Sequence, residues 1–256
     1  MTSGPHPGWL AAGSVLAVAG FAWGAFNVVD LLAHEVTTVS DTFDAHGVSV
    51  IDIENDAGRV VVIGTDADEI TIEARVSDGL RDTGNSYRVV EDRLEIRGTC
   101  PLLGSMWCSV DYRIEVPGDV ALDIDADDRV EIVDVRGALT VDTDNGRIEI
   151  RGAEGPLAVS TDNGRIDASG VRSTQISAGS DNGSVEIVMA VPPDRLDATS
   201  DNGRVEVVLP DTLDTYAVTT DTDNGTVRNE VRTDPTSPRT INLSSDNGDV
   251  TVRYPD

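Results

Sequence analysis

The side chains best placed to do chemistry are aspartates that recur every 18–23 residues. Asp-Asn-Gly occurs six times: Asp144-Asn145-Gly146, Asp162-Asn163-Gly164, Asp181-Asn182-Gly183, Asp201-Asn202-Gly203, Asp223-Asn224-Gly225 and Asp246-Asn247-Gly248. Carboxylates in register suggest cation binding. Two copies extend to Asp-Thr-Asp-Asn-Gly, from Asp142 and Asp221, and look like calcium loops. The likeness fails in detail. The glycine comes one residue too early for an EF-hand, and the twelfth position holds Ala153 or Arg232 where a bidentate glutamate is needed. The glycine-rich nonapeptide of calcium-binding β-rolls is absent as well. If the copies stack, the six aspartates align. Neighbours ~5 Å apart would repel by only ~1 kcal/mol at the dielectric of water. Arg147, Arg165 and Arg204 follow three residues after their Asp and can offset part of that repulsion. No cofactor is expected. Weak Ca2+ binding by Asp144, Asp162, Asp181, Asp201, Asp223 and Asp246 is the one cation reading the spacing leaves open, beside the plainer role of Asp as a turn-builder.

Other chemistries have less to work with. His6, His34 and His46 all precede the repeats, so no Ser/His/Asp arrangement can be assembled in the repeat body. Paired carboxylates could hydrolyse sugars, but so many acids give pairs by chance. No P-loop or dinucleotide fingerprint is present. The two cysteines, Cys100 and Cys108, match no metal spacing. A local disulfide between them fits an oxidising compartment; two free thiols would fit a reducing one.

What positions these residues is a repeat. The Asn-to-Asn steps are 18, 19, 20, 22 and 23 residues. A period of that size indicates stacked supersecondary units. Before each Asp-Asn-Gly, an alternating run such as Leu157, Val159, Thr161 turns one face inward. After it comes a shorter run such as Val185 and Ile187. Between these, Glu149, Asp167, Glu186 and Glu206 point outward, as a candidate face for a cationic or polyhydroxyl partner. Period-two alternation marks half-buried strands. Asn and Gly tolerate the positive φ that tight bends demand, and the preceding Asp can accept turn N–H bonds. Asn145, Gly146, Asn163, Gly164, Asn182, Gly183, Asn202, Gly203, Asn224, Gly225, Asn247 and Gly248 are therefore read as structural turns. Both a meander of hairpins and a solenoid of coils satisfy the pattern. Recurrence of one inward set every ~20 residues favours the solenoid.

The expected fold class is all-β: a parallel β-solenoid, a right-handed β-helix-like stack, preceded by one transmembrane helix. Residues 1–8 would be a short cytoplasmic tail and 9–33 the transmembrane anchor. Residues 34–43 would be a stalk, 44–120 a β half capping the stack with the disulfide loop, and 121–256 the Asp-Asn-Gly solenoid. Trp9 to Val29 carries no ionisable group and as a helix would span ~32 Å. Ala17-Val18-Ala19 resembles a signal cleavage site, but apolar sequence continues past it. Gly20 and Gly24 give a GxxxG spacing, a pattern of helix dimers. The closing Arg253-Tyr254-Pro255-Asp256 would protect the last strand edge.

The formal net charge is −27, with 19 Arg and no Lys. Such a body repels nucleic acid and anionic lipid head groups. The segment I-D-I-E-N-D-A-G-R-V-V-V from Ile51 and the recurring T/S-D-N-G-x-V/I-E-V/I resemble the bacterial putative-adhesin family of envelope β-repeat proteins, a domain of unknown function. The resemblance covers roughly residues 44–254. It implies a β-helical stack and an N-terminal membrane anchor, and brings no catalytic residues. The expected function is a membrane-anchored, extracytoplasmic, adhesin-like interaction scaffold and not an enzyme. Its partners would be the membrane, through the N-terminal helix, and an envelope protein or polymer, with no nucleic acid. The alternatives are an envelope-stress sensory or regulatory subunit acting through a second membrane protein, and a polysaccharide-active β-helix enzyme. The expected location is the cell membrane, single-pass, with the C-terminal domain outside.

Overall fold

A computed structural model of the chain describes residues 35–78, 83–101 and 108–255. The expected tail and transmembrane anchor lie outside the described residues. Among those described, no helix is long and apolar enough to cross a membrane.

The cap half contains β1 (Glu35–Asp44), β2 (Val50–Asn55), β3 (Val60–Thr65), β4 (Glu69–Asp78), β5 (Gly84–Val90), β6 (Arg93–Thr99) and β7 (Ser109–Pro117). Strand pairs follow, one pair per coil: β8 (Ala121–Ala126) with β9 (Val130–Val133), β10 (Leu139–Thr143) with β11 (Ile148–Arg151), and β12 (Leu157–Thr161) with β13 (Ile166–Val171). The last four are β14 (Gln175–Ser180) with β15 (Val185–Met189), β16 (Arg195–Ser200) with β17 (Val205–Val208), β18 (Ala217–Thr222) with β19 (Val227–Asn229), and β20 (Thr240–Ser245) with β21 (Val250–Arg253).

The first strand of each coil joins a 10-stranded sheet and the second an 11-stranded sheet. Equivalent residues pair across neighbouring coils, for example Leu139 with Leu157 and Ile148 with Ile166. This is the stacked solenoid and not the meander. The inward residues of both sheets, Ile, Val, Leu and Ala, form one continuous buried core. Strand spacing of ~4.8 Å makes each coil a thin layer, so β-branched and small residues fill it and few aromatics are needed.

The coils do not stack in sequence order. The β20/β21 coil sits between β16/β17 and β18/β19. At the other end, β2/β3 sits between β6/β7 and β8/β9. The C-terminal residues therefore do not guard the end of the stack: the terminal coil is Ala217–Asn229. Its composition explains why. Ile241, Leu243, Val250 and Val252 are buried, as suits a coil with neighbours on both sides. Every residue of Val227–Asn229 is exposed, as suits a coil with solvent on one.

The outermost pairings of the cap are antiparallel, while β2 with β6 and β3 with β7 are parallel. β4 pairs with β7 and β5 with β6. Residues 35–44 are not a free stalk; they form β1, paired along its length with β4. Phe43 meets Tyr87 edge-on, with ring centroids 6.0 Å apart, and closes part of this end.

Candidate binding faces

Each element of the Thr/Ser-Asp-Asn-Gly corner has a separate task. The Thr or Ser points inward and is mostly buried. Its hydroxyl donates to a glycine carbonyl of the adjacent coil: Ser180 to Gly164 at 2.9 Å, Ser200 to Gly183 at 2.8 Å and Ser245 to Gly203 at 2.8 Å. The Asn side chains form a ladder along the outside of the corner. Nδ2 of Asn163, Asn182, Asn202, Asn247 and Asn224 donates to Oδ1 of Asn145, Asn163, Asn182, Asn202 and Asn247 respectively, at 3.0–3.2 Å. The glycines are required by close approach. A Cβ at Gly183 would lie 1.7 Å from the Gly164 carbonyl oxygen, and one at Gly248 would lie 2.1 Å from that of Gly203.

This corrects the sequence reading in two respects. The residues with positive φ are elsewhere, at Gly47, Gly58, Gly152 and Gly170, Glu91 and Asp134; none is in an Asp-Asn-Gly corner. These corners are bends between coil faces in a parallel stack, so hairpin torsions are not needed. The corner Asp carboxylates also accept no turn N–H among the described residues. The turn is held instead by backbone bonds between coils, such as Asn163 N to Asp144 O at 2.9 Å.

The six aspartates named as metal candidates do stack, in the order Asp144, Asp162, Asp181, Asp201, Asp246 and Asp223, and all are exposed. No group of three or more His, Cys, Asp or Glu among the described residues is arranged to hold a metal ion. The column continues to Asp127. Desolvation, then repulsion from Asp144, Asp56, Asp128 and Asp125, raises the Asp127 carboxyl above its ordinary value. Asp125 is raised in the same way, by desolvation and then by Asp142 and Asp144. This corner is an edge of mutually repelling carboxylates.

The outward column of the 11-stranded sheet is different. Glu131, Glu149, Asp167, Glu186 and Glu206 align across neighbouring strands. A parallel column of arginines covers them. Arg129 lies 2.8 Å from Glu149, Arg151 2.7 Å from Glu131, Arg165 2.5 Å from Asp167 and Arg253 3.0 Å from Glu206. Arg147 reaches both Glu149 and Asp167, at 3.3 and 3.4 Å. Burial raises the Glu149 carboxyl, but Arg129 and Arg147 outweigh it, and the net shift is downward. Thus Arg147, Arg165 and Arg204 do not offset the corner aspartates; they pair with the strand acids two residues on or one coil away. The acidic face proposed for a cationic partner is largely neutralised. The signal was present in the sequence as Asn-Gly-Arg-x-Glu/Asp, with Arg and acid two residues apart on one side of a strand.

The cysteines form the expected disulfide, with Cα atoms 5.8 Å apart. Asp56 accepts the Cys100 N–H at 2.9 Å and ties the loop to the end of β2. His46 Nδ1 lies 2.7 Å from Asp44 in the exposed turn after β1, remote from the repeats.

No family model matches the chain, and no curated protein matches it in sequence. Among solved structures it is similar to a putative adhesin from Bacteroides fragilis, with 12% identity and a TM-score of 0.44 over 86% of this chain and 97% of that one. A putative cell adhesion protein from Clostridium sporogenes shows 9% identity and a TM-score of 0.41 over 86% and 100%. A putative adhesin from Parabacteroides merdae shows 11% identity and a TM-score of 0.39 over 87% and 97%. These descriptions are of the kind to which the repeat motifs pointed. At such identities they assign this chain no ligand and no activity.

Proposed function

We propose that this chain is a membrane-anchored, extracytoplasmic interaction scaffold, adhesin-like in architecture and without catalytic activity. The observation that carries this reading is the in-register stack, in which chemically equivalent side chains recur about every 4.8 Å along rigid faces. Such a surface suits extended or repeated partners more than a single small substrate. The Cys100–Cys108 disulfide is consistent with an oxidising compartment. The described part begins with β1, beside β4 at the cap end of the stack. An anchor at residues 9–33 would hold that end near the bilayer and leave the repeats distal. On this reading the partner is an envelope protein or polymer.

The test is photo-crosslinking in intact cells, with a photoreactive residue in place of exposed Ser177 or Asp162. Lysine-directed reagents have no side-chain target, since the chain has no Lys. A discrete adduct, or a smear removed by glycan-degrading enzymes, supports the scaffold. Absence of any adduct at either position, with the protein shown to be surface-exposed, contradicts it.

A further inference from the structure

The acid column of the 11-stranded sheet, Glu131 to Glu206, stops at Val61 on its cap side, and a cleft lies over that end. In register, Val61 stands between Arg113 on β7 and Glu131 on β9, at the position where β9, β11, β13, β15 and β17 carry Glu or Asp. A cleft of about 700 Å³ opens here and is lined by Arg59, Arg75, Arg113 and Arg129. Four guanidinium groups at one site stand out in a chain of net charge −27.

Three acids share the lining, and two of them accept backbone N–H bonds. Asp111 accepts the Arg59 backbone N–H at 2.9 Å, and Asp128 accepts that of Gly58 at 2.9 Å. Glu73 faces Arg113 in register and is the remaining acid of the lining. Among the described residues, the side chains of Arg59 and Arg75 make no ion pair. Arg113 has only exposed Glu115, at 3.5 Å. Arg129 binds Glu149 through Nη2, while its Nε is buried and unpartnered.

We propose that this cleft binds a small ligand bearing a carboxylate or phosphate group, held by Arg59, Arg75 and Arg113. The planar guanidinium fork matches such oxyanions in a bidentate way. Ionic screening over ~8 Å weakens the distant acids, and the four arginines of the lining outnumber its three acids, Glu73, Asp111 and Asp128. A long polyanion is disfavoured, because it would have to cross the aspartate corner. The proposal rests on the scaffold reading only in giving that scaffold a ligand class. Its test needs no membrane or partner, so the two can fail separately.

The experiment measures the thermal unfolding midpoint of the full chain in detergent micelles. Inorganic phosphate and sodium glucuronate are titrated separately against sodium chloride at matched ionic strength. A bound anion raises the midpoint saturably. A rise with phosphate alone, glucuronate alone or both supports the site and identifies which oxyanion it takes. Arg59→Gln/Arg113→Gln should weaken the response at least about tenfold, as expected for the loss of one charge-assisted contact. Val61→Glu should do the same with every arginine retained, because it adds an acid at the end of the column. Arg147→Gln/Arg165→Gln should leave the response intact. If Val61→Glu does not fold, judged by its midpoint in chloride, the double arginine variant decides. No saturable rise with either anion overturns the proposal, and so does a response that persists in the folded cleft variants or disappears equally in Arg147→Gln/Arg165→Gln.

Discussion

Gly183 shows how little room the coil corner leaves. An alanine there would place its Cβ 1.7 Å from the Gly164 carbonyl, with rigid backbone on the other side. Gly183→Ala is expected to destabilise by about 3 kcal/mol in urea titration. Gly179→Ala is the control: its Cβ would meet the Thr199 hydroxyl at 3.3 Å, and the cost should stay within about 0.5 kcal/mol. Equal effects would contradict the close-approach account. Asn182 exchanges side-chain hydrogen bonds with Asn163 and Asn202, whereas Asn224 makes one, at the ladder's end. Asn182→Ala should cost about 1–2 kcal/mol and Asn224→Ala less. Asp127 has a raised folded pKa, so its charged form is disfavoured in the fold. That penalty is present above the raised pKa and disappears as pH falls to the ordinary carboxylate value. Asp127→Asn should therefore raise stability at neutral pH, with a gain that shrinks in salt and vanishes in acid. A gain that persists in acid would contradict this origin. At this scale the positions were legible in the sequence, but their reasons were not. The repeat identified Asn and Gly as corner residues. Only the parallel stack shows that the glycine is set by a neighbouring carbonyl and the asparagine by its copy one coil away.

At the scale of elements, the alternating runs located the strands well, because burial on one face forces period-two patterning. The expected stalk at residues 34–43 reads as a linker for the converse reason. β1 is an edge strand with little buried surface, so its polar sequence looks like a linker. The order of the last two coils was hidden because their consensus residues match. A cue did exist: the outermost coil carries Thr220 and Asn229 where its neighbour carries Leu243 and Val252. The interleaving makes a prediction that sequence-order stacking does not. A chain ending after Asp234 lacks β20 and β21 and so loses the layer between β17 and β19. Hydrogen exchange in that variant should show residues 217–229 unprotected and residues 195–208 still protected. Retained protection at 217–229 would mean that the outer coil docks directly on β16/β17.

For the whole molecule, one core runs through cap and repeats, but the cap has a staple of its own. Cys100→Ser/Cys108→Ser should cost about 2–3 kcal/mol on the chain-entropy account. The loss should appear as faster exchange in β6 and β7, with the β12–β15 region unchanged. Equal loosening of both regions would contradict a local role. The sequence made the all-β, stacked character legible, since a repeated inward set can only be buried by neighbouring copies. It concealed that each end of the stack interleaves its coils, because that depends on connections and not on composition. The interleaved order of the coils can be tested with engineered cysteine pairs. Glu206 is in register with Thr251, and Thr251 with Arg228. Adjacent coils are ~4.8 Å apart and alternate coils about twice that, beyond disulfide reach. Oxidation should therefore bridge Glu206→Cys/Thr251→Cys and leave Glu206→Cys/Arg228→Cys open. Bridging of the second pair but not the first would show the coils stacked in sequence order and would contradict the account.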